Sequence, residues 1–283
     1  MVRASGLALG RPSVFGVAFQ LGHQRGIQNV LTHSAHFTKV FDQMGCSSSM
    51  KPYQALVLGS SGGIGREFVS HFQNDSACSL VVGLSRQSAL HFELENEDSM
   101  AHCAAQLKSA TGPFGACQFK WIIDATGALT IEGQGPEKRL EALNAQQLLK
   151  QFEVNAVGPA LLMKHFFPLL VGQEPSCYAT LSARVGSIED NRKGGWYGYR
   201  AAKAARNMLL QTAAIEAARK KPLCVFAALQ PGTVQSNLSS GFVAAENAML
   251  PEESVSKMMA VMSELKPNGR AQFVDHAGQV IPW

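Results

Sequence analysis

The sequence predicts one doubly wound α/β domain, a parallel sheet with helices on both faces. Two observations lead there. From Tyr53 onward, short β-branched or apolar runs alternate with longer amphipathic stretches, the pattern of βαβ units. The first run leads into a glycine-rich turn that opens a helix. At 283 residues, with 46% hydrophobic and 16% charged side chains, the chain is long and apolar enough for one large domain of this kind.

In chain order, the short apolar runs place strands at Gln54–Leu58, Leu80–Leu84, Trp121–Asp124, Cys177–Leu181, Val225–Leu229 and Gln272–Val274. Between them, amphipathic spacing predicts helices over Arg66–Gln73, Met100–Lys108, Ala145–Leu170, Tyr197–Arg219 and Pro251–Glu264. Residues 129–144, Ile188–Gly195 and Ser236–Leu250 read as loops, and no internal repeat is visible. The domain is therefore expected over residues 50–283.

Residues 1–49 are different in kind. The first fifty residues carry Arg3, Arg11, Arg25 and Lys39 against Asp42 alone, with Ser, His and Gly and no run that leads into a domain. That composition is expected of a mitochondrial transit peptide, with a disordered tail or a cytoplasmic product started at Met50 as alternatives. The formal charge of +4 is modest, and outside this segment the chain is nearly neutral, which argues against nucleic acid as a partner. No apolar run reaches the roughly 20 residues of a membrane span. The six cysteines show no Cys-x-x-Cys pair and no His at metal-ligand spacing, so they read as reduced and mostly core-filling, with no metal site.

The glycine turn is Gly59-Ser60-Ser61-Gly62-Gly63-Ile64-Gly65. Glycines let the backbone turn tightly and approach a pyrophosphate, and a helix N-terminus offers free N–H groups and a positive dipole end to that anion. Gly59, Ser61, Gly63, Ile64 and Gly65 are the expected cofactor contacts. Tyr199-Arg200-Ala201-Ala202-Lys203 puts a phenol and an ammonium four residues apart, on one helix face. A neighbouring ammonium favours the phenolate and is expected to lower the Tyr pKa from about 10, so that Tyr199 can exchange a proton with a substrate oxygen.

The glycine spacing and the Tyr-x-x-x-Lys step resemble the short-chain dehydrogenase/reductase family, and the resemblance runs from about residue 53 to residue 283. It implies a Rossmann domain and extends to further positions. Asp124-Ala125-Thr126-Gly127 stands where the family usually has Asn-Asn-Ala-Gly, which implicates Ala125 and Gly127 in cofactor contact. Asn155 matches the helix Asn that holds a water between the catalytic Lys and solvent. Pro231-Gly232-Thr233-Val234 matches the segment that clamps the nicotinamide. Leu181–Ile188, Gly194–Tyr199 and the terminal Ile281-Pro282-Trp283 look like the C-factor-like subgroup.

One departure bears on mechanism. The family usually has Ser-Ser-x-x-Gly, whose second Ser polarises the carbonyl. Aligning Gly186 on that glycine puts Ala183 in the catalytic place. Ser182 is the preferred substitute, with Ser187, or no hydroxyl donor at all, as alternatives. The strand ending Gly83-Leu84-Ser85 carries no acid for ribose hydroxyls and is followed by Arg86, with Arg66 after Gly65, which points to NADP(H) over NAD(H). The resemblance implies reversible hydride transfer between NADP(H) and a carbonyl or secondary alcohol, with Tyr199, Lys203, Asn155 and Ser182 as catalytic residues. The apolar side chains Leu238, Phe242, Val243 and Met249 of the Ser236–Leu250 loop suggest a small hydrophobic substrate, and family members commonly form homodimers or homotetramers. An NADP(H)-binding sensor with little turnover is the competing expectation.

Overall fold

The computed structural model describes residues 51–110, 117–235 and 248–283. The alternation of the sequence becomes β1 (Tyr53–Leu58), α1 (Gly63–Asn74), β2 (Cys78–Leu84), α2 (Glu97–Ser109), β3 (Trp121–Asp124), α3 (Ala145–Phe152), α4 (Gly158–Phe166), β4 (Ser176–Leu181), α5 (Tyr197–Ala217), β5 (Cys224–Gln230), α6 (Pro251–Glu264) and β6 (Ala271–Asp275). All six expected strands form, and every ladder is parallel, in the order β2-β1-β3-β4-β5-β6. Parallel strands covered on both faces are buried along their length and read as near-continuous apolar runs. β3 and β4 are buried at every residue.

Alternate residues divide the core between the two faces. Ala55, Val57, Ile123, Ala179 and Ala227 pack with Phe68 and Phe72 of α1 and with Val255, Met258 and Met262 of α6. On the other face Leu56, Leu58 and Ile122 are fully buried, as are Met100 of α2, and Leu162 and Phe166 of α4. Cys103, Cys117, Cys177 and Cys224 are buried free thiols, as their core-filling reading expects, and Cys78 is half-buried. No helix among the described residues is long and apolar enough to cross a membrane.

The expected helix over Ala145–Leu170 is a correction. It is three pieces: α3, a π-turn over Glu153–Val157, and α4, with a 3-10 turn over Phe167–Leu169. Pro159 has no N–H to give the carbonyl four residues back, at Asn155, so the ladder widens there. The N–H of Gly158 reaches the Glu153 carbonyl instead. The other helices differ from expectation mainly at their starts. α2 begins at Glu97 because Asn96 caps it, its Oδ1 accepting from the N–H of Ser99 at 3.1 Å.

The chain leaves β1 for β2 on one side and returns to β3 on the other, so the strand order reverses beside β1. The loops after β1 and β3 therefore open a crevice at the carboxyl edge, where ligands of such sheets bind.

Candidate active site

The turn after β1 is closed chiefly by backbone hydrogen bonds. Gly59 and Ser60 both donate to the carbonyl of Leu84 at the end of β2, at 2.8 and 3.1 Å, and Gly62 donates to the Gly59 carbonyl. Gly59 has φ +84°, and a Cβ there would stand 3.0 Å from the Ala125 carbonyl group across the crevice. A Cβ on Gly65 would run into the Gly59 carbonyl oxygen. This packing brings the start of α1 against the turn while Ser61 and Gly63 stay exposed. α1 carries no acid in its first turn and no side-chain cap, so its N-terminus is free for an anion. Arg86 is exposed past β2, and the Arg66 guanidinium donates to the Ser61 carbonyl at 3.1 Å.

Tyr199 and Lys203 lie one turn apart on the buried face of α5, with the Lys203 Nζ 5.6 Å from the centre of the Tyr199 ring. The Lys203 ammonium donates to the Leu181 carbonyl at 2.9 Å, tying α5 to the end of β4. Asn155, inside the π-turn, pairs with the backbone of Ala128 in both directions and donates to Gln151 Oε1 at 2.9 Å. Gly127 joins these groups. The place a Cβ would occupy is 2.9 Å from Asn155 Oδ1 and 3.3 Å from Lys203 Nζ, and φ is +132°, so only glycine leaves that meeting point open.

The electrostatics correct one expectation. Burial pushes the Tyr199 phenol up to about 12, with Arg206 pulling the other way, rather than the adjacent lysine drawing it down. Lys203 is itself held well below the usual lysine range by burial and by Arg206, with Asp124 opposing. At neutral pH Tyr199 is a protonated donor.

The family model for short chain dehydrogenases matches residues 53–247, more than two thirds of the chain. The chain belongs to the short-chain dehydrogenase family. It is 31% identical to the C-signal protein of Myxococcus xanthus over 137 residues, 48% of this chain and 78% of that one. It is 30% identical to an oxidoreductase of Schizosaccharomyces pombe over 145 residues, spanning 47% of this chain and little more than half, 56%, of that relative. Among solved structures, the NADPH-bound carbonyl reductase from chicken fatty liver superposes with a TM-score of 0.70 at 22% identity, covering 83% of this chain and all of that one.

Tyr199, Lys203 and Asn155 thus lie around the carboxyl edge of the sheet, and the serines near them point inward. Ala183 stands at the end of β4, and Ser182 before it is buried with its hydroxyl donating to Asn207 Oδ1 at 2.6 Å. Ser187 accepts from the N–H of Asp190 at 3.0 Å and donates to the terminal Trp283 carbonyl. Both serines thus spend their protons inside the protein. Pro231 to Val234 follow β5, with Gly232 at φ +83° and Ser254 of α6 donating to the Pro231 carbonyl. The expected substrate loop falls largely on residues 236–247, outside those described; Met249 is paired through its backbone with Thr233 and Gln235.

Four residues of the site escape the sequence reading. Arg206 and Asn207 follow Lys203 by three and four residues, a spacing that puts them on its helix face. Gln151 is fully buried and holds Asn155 and the Leu129 carbonyl. Glu137 accepts from the N–H of Gly198 at 3.0 Å, a carboxylate at the positive end of α5. For Asp124 the signal was its departure from the family pattern; a buried acid needs a cation, and the sequence does not say which one.

Proposed function

We propose that this oxidoreductase transfers hydride between NADP(H) and a small, apolar carbonyl or secondary alcohol, most readily as a ketone or aldehyde reductase. The observation that carries the reading is the convergence of Tyr199, Lys203 and Asn155 at the crevice whose other wall is the Gly59–Gly65 turn. The residues fit a dinucleotide, because glycines at 59 and 65 let the turn close on its own backbone and the α1 N-terminus, with no acid and no side-chain cap, is left free for an anion. When bound, the nicotinamide supplies the hydride. Gly59, Ser61, Gly63, Ile64 and Gly65 would hold the pyrophosphate, Ala125 and Gly127 would flank the adenosine side, and Pro231 to Val234 would hold the nicotinamide end. Arg86, with Arg66, would pair with a 2′-phosphate, and the absence of an acid at the end of β2 supports NADP(H), the cofactor named for the chicken reductase.

Tyr199 donates its proton to the substrate oxygen as the carbonyl is reduced. Lys203 orients the phenol and restores its proton, and Asn155 keeps the backbone of Ala128 in place beside that path. Ser182 reaches a carbonyl only by releasing Asn207, so Tyr199 bears most of the polarisation.

Leu149 and Val157 on the α3–α4 segment, with Met208, Leu209 and Ile215 on α5, are exposed apolar side chains that favour a homodimer or homotetramer. The composition of residues 1–49 favours a mitochondrial destination over a cytoplasmic one.

A second reading, an NADP(H)-binding sensor with little turnover, is favoured by Ala183 and by the inward-bonded Ser182. Titrating the full chain with NADPH and NADH, then following reduced-nicotinamide absorbance with a panel of carbonyls, separates the two. Turnover that disappears in Tyr199→Phe with NADPH affinity kept identifies the reductase. Binding without turnover selects the sensor.

A further inference from the structure

The mechanism above makes no use of Asp124 and Arg206, which are 1% and 2% exposed and joined at 2.5 Å. The pair is fully built. Arg206 Nε donates to Thr180 Oγ1 at 2.6 Å and Nη1 to the Thr126 carbonyl at 2.9 Å, while Nη2 holds Asp124 Oδ2. Asp124 Oδ1 accepts from the Thr126 N–H and hydroxyl, at 3.0 and 2.5 Å, and Oδ2 from the Thr180 hydroxyl at 3.1 Å. Buried ion pairs are weak sources of stability, since apolar replacements of similar volume are often no less stable. The placement of this one suggests what it does.

Arg206 lies three residues after Lys203 on the buried face of α5. The point where a Gly127 Cβ would stand is 3.3 Å from Lys203 Nζ and 3.6 Å from Arg206 Nη1, so two cations face each other across a residue without a side chain. The charged and titratable groups around Lys203 are Arg206 and Tyr199 of its own helix and Asp124 of β3. The π-turn presents the neutral Asn155, β4 presents the Leu181 carbonyl, and Glu137 sits a turn away on Gly198. Like charges in a low-dielectric interior disfavour the ammonium.

We infer that Arg206, fixed by Asp124, is a positioning residue for proton transfer: a permanent positive charge behind Lys203 that makes its ammonium release a proton toward Tyr199 more readily. The N–H of Nζ breaks, the O–H of the phenol re-forms, and neutral Lys203 takes a proton back from water. The inference rests on Tyr199 and Lys203 being the proton-transfer pair.

The test uses the full chain with 13Cε-labelled lysine, the Lys203 resonance assigned by its loss in Lys203→Met, together with the pH profile of kcat. Asp124→Asn/Arg206→Met leaves no buried charge unpaired; because it removes the opposing Asp124 charge together with the larger Arg206 one, the Lys203 midpoint rises by the difference, about half a pH unit, and the pH profile moves the same way. Arg206→Lys keeps the charge but loses the fork, and its midpoint stays within roughly 0.3 unit of the wild type. If the double variant does not fold, Asp124→Asn/Arg206→Gln carries the same expectation. An unmoved midpoint, or equal shifts in Arg206→Lys and the neutral variants, overturns the inference. Shifted midpoints in a wild-type protein that reduces no carbonyl leave the electrostatic assignment standing and remove the reductase reading instead.

Discussion

Asn155 is bonded to Ala128 from both ends of its amide: Oδ1 accepts from the Ala128 N–H at 3.0 Å, and Nδ2 donates to the Ala128 carbonyl at 2.8 Å. A side chain on the π-turn thereby closes the backbone past β3 as a neighbouring strand would. Asn155→Asp loses the donor and turns a carboxylate toward the Ala128 carbonyl and Gln151. It should cost about 3 kcal/mol in chemical denaturation and abolish turnover, whereas Asn155→Ala should cost about 2 kcal/mol. Equal stability of Asn155→Asp and wild type would remove this account of the π-turn.

Gly65→Ala tests the cradle. The added methyl collides with the Gly59 carbonyl oxygen, so the turn must open. NADPH affinity by fluorescence titration should fall at least about tenfold, with a stability loss of about 1–3 kcal/mol.

Arg86→Glu tests cofactor choice. Replacing the exposed cation past β2 by an acid should weaken NADPH binding by about 1.4 kcal/mol or more, a factor of ten, and strengthen NADH binding. Unchanged affinity for both cofactors would show that Arg86 is an ordinary loop residue.

Ala183→Ser places a hydroxyl just past the end of β4, where the side chain is half-buried. If the site lacks a second donor to the carbonyl oxygen, kcat should rise by about tenfold, at the lower end of what one such donor contributes. Ser182→Ala should instead act on stability, because it leaves Asn207 Oδ1 without its donor.

The Tyr199 phenol, pushed up to about 12, sets a pH dependence of both activity and stability. The proposed reduction needs the protonated form, so this group imposes no loss of rate up to about pH 10. Its folded pKa lies above the unfolded value of about 10, so its contribution to stability is complete below pH 10 and is lost as pH rises toward 12. Urea titrations across that range should show Tyr199→Phe losing about 2 kcal/mol less than the wild type. Parallel losses in the two proteins would mean that the phenol is not so perturbed.

Much of this was readable in the sequence by itself, because local physics writes it there. The βαβ alternation, the six strands, the Gly59–Gly65 turn and the Tyr199–Lys203 step are all set within a few residues by periodicity, by missing Cβ atoms and by helix spacing. Tertiary structure alone decided the rest. That Asp124 meets Arg206, 82 residues away, follows from β3 lying beside β4 beneath α5. Ser182 turns inward because Asn207 is waiting on the helix. Tyr199 is a stronger proton holder than the Tyr-x-x-x-Lys spacing predicts, because that spacing records the nearby cation but not the depth of burial. Local sequence sets conformation, whereas the pairing of charges and the removal of water depend on neighbours that only the folded chain brings together.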